Sequence, residues 1–153
     1  MSLGGGGGGG QMQQLAQQME ELEGHIEALE GEIEGIQQEQ QEIDEAIEAI
    51  ETLDSGSTVQ VPLGGGAYLR AEVQNIDEVI VDLGADYAAE RDQEGAVSSL
   101  ESKKETLDDR IEDLQSDIAE VETEIEQLEQ QAEQMQAQQM QQLQQQQQQQ
   151  QDE

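Results

Sequence analysis

From Met12 onward, apolar residues recur at alternating steps of three and four: Met12, Leu15, Met19, Leu22, Ile26, Leu29, Ile33, Ile36, Ile43, Ile47 and Ile50. Gln40 is the one polar member of that series. A second series runs Val97, Leu100, Leu107, Ile111, Leu114, Ile118, Val121, Ile125, Leu128, Ala132 and Met135, with Lys104 as its polar member. A mean spacing of about 3.5 residues held this long predicts coiled-coil helices. Each series spans about 40 residues, or ~60 Å of helix. Equal lengths on either side of a short insert predict an antiparallel helical hairpin, each helix covering the other's seam. With Ile50 set opposite Val97, Gln40 and Lys104 fall in neighbouring layers near the insert, where polar seam residues set register. Gly24, Gly31 and Gly35 fall away from the seam.

Between the two series the period changes to two. Val59, Val61 and Leu63 form one row, Ala67, Leu69, Ala71 and Val73 a second, and Val79, Val81 and Leu83 a third; Tyr87 and Ala89 begin a weaker fourth. Alternation over short runs predicts strands. Gly64 to Gly66, Asn75 and Asp77, and Gly84 and Asp86 punctuate them, so four strands in two hairpins are expected. Pro62 marks the first strand as an edge or as only partly paired. The predicted organisation is a Gly-rich disordered leader over 1–10, a first coiled-coil helix over 11–54, two β-hairpins over 55–91, a second coiled-coil helix over 92–138, and a Gln-rich tail over 139–153, expected to be largely disordered. The fold class is α+β: a long antiparallel coiled-coil hairpin carrying a two-hairpin insert.

The triple glycine is the one motif that invites a catalytic reading. A phosphate-binding P-loop requires Lys-Ser/Thr after its last glycine and a helix behind it, but Gly66 is followed by Ala67, Tyr68 and a strand. The dinucleotide pattern requires glycine where Leu69 stands. Glycines that supply positive φ between paired strands fit this context. His25 is the sole histidine, lies on a helix flank, and has no second donor with which to hold a metal. Carboxylates on exposed coil faces lack the shielded pocket that acid–base chemistry requires. No enzyme, cofactor or metal site is expected.

Composition narrows the class further. The chain has 153 residues, no Phe or Trp and two Tyr, so the large aromatics that fill a globular core are missing. Its apolar surface must be buried in thin seams or between subunits. A net charge of −32 destabilises compact states by self-repulsion, and halophiles use such charge; the chain reads as adapted to concentrated salt. Five basic residues among 37 acidic ones disfavour nucleic acid and anionic membranes as partners. The absence of cysteine, of a long apolar run and of a signal-like N-terminus points to a cytoplasmic protein.

The segments PLGGGAYLRAEV (Pro62 to Val73) and VIVDLG (Val79 to Gly84), followed by the acidic approach Tyr87 to Asp92 and framed by coils, resemble the alpha-type subunits of archaeal prefoldin. The likeness in layout covers about residues 12 to 143, and the paired hairpins favour the alpha over the beta type. The resemblance implies a hexamer of two alpha and four beta subunits whose hairpins join into a double β-barrel platform. It also implies an ATP-independent holdase that captures unfolded proteins and passes them to a group II chaperonin.

The residues lead part of the way independently. An insert this small has open strand edges, so oligomerisation is expected through Val59, Val61, Leu63, Leu69, Val73, Val79, Val81 and Leu83. The coil ends carry Met12, Leu15, Met19, Met135, Met140 and Leu143, flexible side chains suited to varied apolar clients. Met140 and Leu143 lie off the seam frame and face away from the partner helix. The alternative is a coiled-coil scaffold or adaptor that binds one folded partner.

Overall fold

The computed structural model describes residues 6–151. In chain order the elements are helix α1 (Gly6–Thr52), strands β1 (Thr58–Gly64), β2 (Ala67–Glu72), β3 (Val79–Gly84) and β4 (Tyr87–Arg91), and helix α2 (Gln93–Gln151). The chain divides into two compact units, one formed by residues up to Ile33 together with those from Asp113, the other by Glu34–Glu112.

The first unit is a pair of antiparallel helical segments joined by a seam. Met12, Leu15, Met19, Leu22, Ile26, Leu29 and Ile33 on α1, and Leu114, Ile118, Val121, Ile125, Leu128, Ala132 and Met135 on α2, are buried or half-buried while their flanking residues stand exposed. Leu114, at 1% exposure, is the most enclosed large side chain. Spacing alone identifies this set, because an apolar stripe at a 3.5-residue period must find a partner stripe to leave water.

The second unit continues the same logic from Ile36 to Ile50 and from Val97 to Ile111, and adds the hairpins. Ile43, Val81 and Ala96 are its buried apolar residues. β1 pairs antiparallel with β2, and β3 with β4, as two separate two-stranded sheets. Val59 faces Ala71 and Val61 faces Leu69 across the first hairpin; Val81 faces Ala89 across the second. β2 ends at Glu72, but Val73 extends the pairing, its N–H donating to the Ser57 carbonyl (2.8 Å) while its own carbonyl accepts from Gly56 N–H (2.7 Å).

The glycines turn a corner. Gly64 pairs with Ala67, leaving Gly65 and Gly66 as a two-residue turn with φ of 60° and 82°. Positive φ at both central positions is the tight hairpin turn whose twist matches the strands. The second hairpin repeats the geometry with Ala85 (φ 51°) and Asp86 (φ 63°), residues with a side chain in the left-handed region. Each hairpin also carries an irregularity just before its turn, between Pro62 and Gly64 and between Asp82 and Gly84. Leu63 and Leu83 are the unpaired residues there, and a bulge of this kind re-aims a side chain.

The chain ends differ from expectation. Residues 6–10 belong to α1 rather than to a disordered leader, and the tail from 139 to 151 continues α2; residues 1–5, 152 and 153 lie outside the described residues. Gln ranks among the good helix formers, and a helix already nucleated by the coil propagates one hydrogen bond per added residue. Glycine costs about 1 kcal/mol per residue relative to Ala, which makes the first turn of α1 its weakest.

Candidate functional site

Among the described residues, two surfaces carry the large apolar side chains that the fold leaves uncovered. One lies on the hairpins. Leu63 (64%), Ile80 (75%) and Tyr87 (74%) are widely exposed, as are Val61, Tyr68, Leu69 and Leu83. Of the residues expected to mediate oligomerisation, Val59, Val73 and Val79 are half-buried and Val81 is buried within the chain itself, which leaves Val61, Leu63, Leu69 and Leu83 outward. Tyr68, Ile80 and Tyr87 join them, residues outside the expected set. Ile80 alternates out of phase with Val79 and Val81, which hid it from an argument built on one apolar face per strand.

The second surface lies at the ends of the first unit. Met12, Leu15, Met19 and Met135 are half-buried seam residues, whereas Met140 (66%) and Leu143 (58%) are exposed. Seam burial on α2 stops at Met135 although the helix runs on to Gln151. Residues 136–151 therefore form an extension in which every side chain is exposed.

Polar contacts fix how the helices of the second unit meet. Gln40 donates its side-chain amide to Asp108 Oδ1 (2.6 Å) and to the Lys104 carbonyl (3.3 Å). Lys104 Nζ is paired with Asp44 Oδ1 at 2.6 Å. That hydrogen bond, chiefly, lifts the Lys104 ammonium above its ordinary pKa; partial desolvation opposes the rise, and the charges of Asp44, Asp108 and Glu101 add to it. The two polar seam residues are thus joined directly, as the layer alignment predicts. Where α2 begins, Asp92 caps it: its Oδ1 accepts from Gly95 N–H at 2.7 Å. A side chain at Gly95 would place Cβ 2.6 Å from that oxygen, so glycine is required for the cap as built.

Among the described residues no group of three or more His, Cys, Asp or Glu is placed to hold a metal ion. His25 lines an open groove with Leu22, Glu124 and Leu128 on the first unit's coil. Among the same residues no helix is long and apolar enough to cross a membrane.

Two long helices bracketing paired hairpins, with apolar residues outward on the hairpins and at the chain ends, define a class of assembling coiled-coil proteins. The chain belongs to the prefoldin family: the profile described as prefoldin subunit matches residues 22–153. It is similar to prefoldin subunit alpha of Haloarcula marismortui, 72% identical over 101 residues that make up 66% of each chain. It is also similar to prefoldin subunit alpha of Halobacterium salinarum, 65% identical over 111 residues, 72% of this chain and 71% of the relative. These alignments span about two-thirds of the relatives' own length. Among solved structures it is similar to the filamentous PFD from Methanocaldococcus jannaschii, with a TM-score of 0.51 and 29% identity over 76% of this chain and 93% of that one. The haloarchaeal sources of the high-identity relatives accord with a salt-adapted composition.

Proposed function

We propose that this chain is the alpha-type subunit of a cytoplasmic prefoldin, an ATP-independent holdase that captures unfolded proteins at its coil ends. Its hairpins join those of beta subunits, two alpha to four beta, and captured clients pass to a group II chaperonin. The observation that carries this reading is the prefoldin match over residues 22–153. Surface chemistry supports it. Two small sheets with both edges open and Leu63, Leu69, Leu83 and Tyr87 exposed call for strands or apolar surface from other subunits. The similar structure from Methanocaldococcus jannaschii is described as filamentous, which supports assembly of this fold. Met12, Leu15, Met19, Met135, Met140 and Leu143 supply adaptable contacts to clients, and several such weak grips on one assembly gain by avidity. No step requires a catalyst or a cofactor.

The test is to purify the chain with its native partners in molar salt and to measure suppression of aggregation of a chemically unfolded protein without ATP. Suppression that disappears when residues before Leu22 and after Leu128 are removed supports the reading. An intact complex that leaves aggregation unchanged overturns it in favour of a scaffold binding one folded partner.

A further inference from the structure

The two hairpins are separate sheets, and no strand of one pairs with a strand of the other. Packing fixes the first of them only at its base. Val59 and Ala71, which face each other across β1 and β2, are its half-buried strand residues, and every strand position from them toward the turn is exposed. The direction of that hairpin is left to the links that enter and leave it, and those links meet. The Ser55 hydroxyl, between α1 and β1, accepts from Ile76 N–H in the β2–β3 link at 3.1 Å. Beside it, Asp54 N–H donates to Ser57 Oγ at 3.0 Å. Asn75 folds the β2–β3 link back on itself: its Oδ1 accepts from Asp77 N–H (3.0 Å) and its carbonyl from Glu78 N–H (3.2 Å). Asp77 Oδ1 in turn accepts from the N–H of Gln93, the first residue of α2, at 3.3 Å. The β2–β3 link is thus tied to the exit of α1 on one side and to the start of α2 on the other.

We infer that Ser55, Asn75 and Asp77 are positioning residues for assembly: they clamp the β2–β3 link to both helix ends, so that the two hairpins meet a partner subunit already set in one mutual orientation. This inference rests on the reading that the hairpins join those of other subunits, and adds what aims them. Apolar burial is non-directional, and an isolated two-stranded sheet is marginal in water, so neither the seam nor the ladders settle where the exposed strand residues point. Hydrogen bonds have direction and weaken steeply as they bend. Ile76, half-buried, is held through its N–H, and Asp77, the next residue, is held through its carboxylate. A carboxylate at the start of α2 is also favoured by the positive end of the helix dipole. With the link held, Leu63 and Leu69 on the first hairpin keep a fixed relation to Ile80, Leu83 and Tyr87 on the second, all of them exposed. A loose pair of hairpins would lose its orientational freedom at the moment of association, a cost that preorganisation removes. Ser55, Asn75 and Asp77 are themselves exposed, where water takes over a lost hydrogen bond at small cost. They contribute direction more than folding stability.

The chain has no cysteine, so Gln60→Cys on β1 and Glu90→Cys on β4, both at exposed positions, give two unique sites for spin labels. Electron–electron double resonance on the full chain in molar salt reads the spread of distances between the hairpins. Dilution of the complex with its native partners, formed by the unlabelled chain, reads the concentration at which it half dissociates. The double variant Ser55→Ala, Asp77→Ala should broaden the distance distribution and raise that concentration about tenfold. Ser55→Thr with Asp77→Asn keeps both acceptor oxygens and should stay within about threefold of the parent, with circular dichroism reporting equal helicity in all three. An unbroadened distribution in the Ala pair, an unchanged dissociation concentration, or equal losses in the two pairs would overturn the clamp and leave hairpin assembly standing. Native partners that stay bound after residues 58–91 are deleted would overturn the assembly reading and the clamp with it.

Discussion

The Gln93 side-chain amide donates to the Ile50 carbonyl at 2.6 Å, so the first residue of α2 closes the end of α1. The same nitrogen reaches the Leu53 carbonyl at 3.2 Å. The last carbonyls of a helix have no partner of their own, and here one side chain from the opposing helix satisfies two acceptors. It also locks the junction from which the hairpins depart, since Gln93 N–H donates to Asp77 Oδ1 in the link between β2 and β3 (3.3 Å). Gln93→Ala should lower stability by about 1–2 kcal/mol, read as a lower midpoint in denaturant. Gln93→Glu should cost at least as much, because a carboxylate has no N–H to offer. Unchanged midpoints in both variants would remove the junction from the account.

The two turns differ in how well their residues suit the same backbone. Ala85 adopts φ 51° where the first hairpin has Gly65 at 60°, and a side chain there costs ~1–2 kcal/mol. Ala85→Gly should therefore stabilise the second hairpin, offset in part by the greater entropy of glycine in the unfolded chain. Gly66→Val in the first hairpin should destabilise it by more than Ala85→Gly gains. Amide exchange across β3 and β4 would register the first change, and exchange across β1 and β2 the second.

Lys104 predicts a pH dependence whose direction is fixed. Its folded-state pKa lies above the ordinary lysine value, held up first by the hydrogen bond to Asp44. The pair's contribution is fully present below the unfolded pKa of ~10.4 and is lost as pH rises through the folded value. Because the pair is partly exposed to solvent, with side chains 33% and 57% accessible, that contribution is modest. Thermal melts of the parent and of Lys104→Met should differ at neutral pH and converge above the ordinary lysine pKa. A gap that widens with rising pH would contradict the pairing.

Glycines 24, 31 and 35 have open space where a Cβ would stand. Packing does not require them, and each costs about 1 kcal/mol relative to Ala. The triple Ala variant should raise the melting temperature and leave assembly intact. Loss of client capture in that stiffer variant would assign the glycines to compliance of the coil.

Salt should tighten the coil. Carboxylates flank the seam on both helices of the first unit, whose own residues include no Lys or Arg, and the self-repulsion of so acidic a chain weakens as the Debye length shortens. Helicity by circular dichroism should be greater at ~1 M KCl than at ~0.01 M. Equal helicity at both concentrations would exclude repulsion as a term in the stability.

The seams were readable residue by residue because one constraint, an apolar stripe at a single period, decides them. Every expected seam position from Met12 to Ile50 and from Val97 to Met135 is half-buried or buried, Gln40 and Lys104 included. The turn at Gly65 and Gly66 was readable because few residues tolerate its φ. Other features depend on geometry that no local pattern encodes. The bulges at Leu63 and Leu83 follow from where a two-residue turn forces the ladder to slip, and the Gln93 contacts need two helix ends brought together from 43 and 40 positions apart. Ile80 was missed because it lies on the face that alternation assigns to polar residues. The helical ends went unread because low complexity and good helix propensity point in opposite directions in a glutamine tract.

In the proposed function, unfolded protein is held at the coil ends. A photo-crosslinking residue placed at Met140, and separately at Glu27 among the acidic residues of α1, tests it in the assembled complex with a chemically unfolded client and no nucleotide. The account predicts client adducts from position 140 and few or none from position 27. Adducts of equal yield at both positions, or none at position 140 while aggregation is still suppressed, would contradict it.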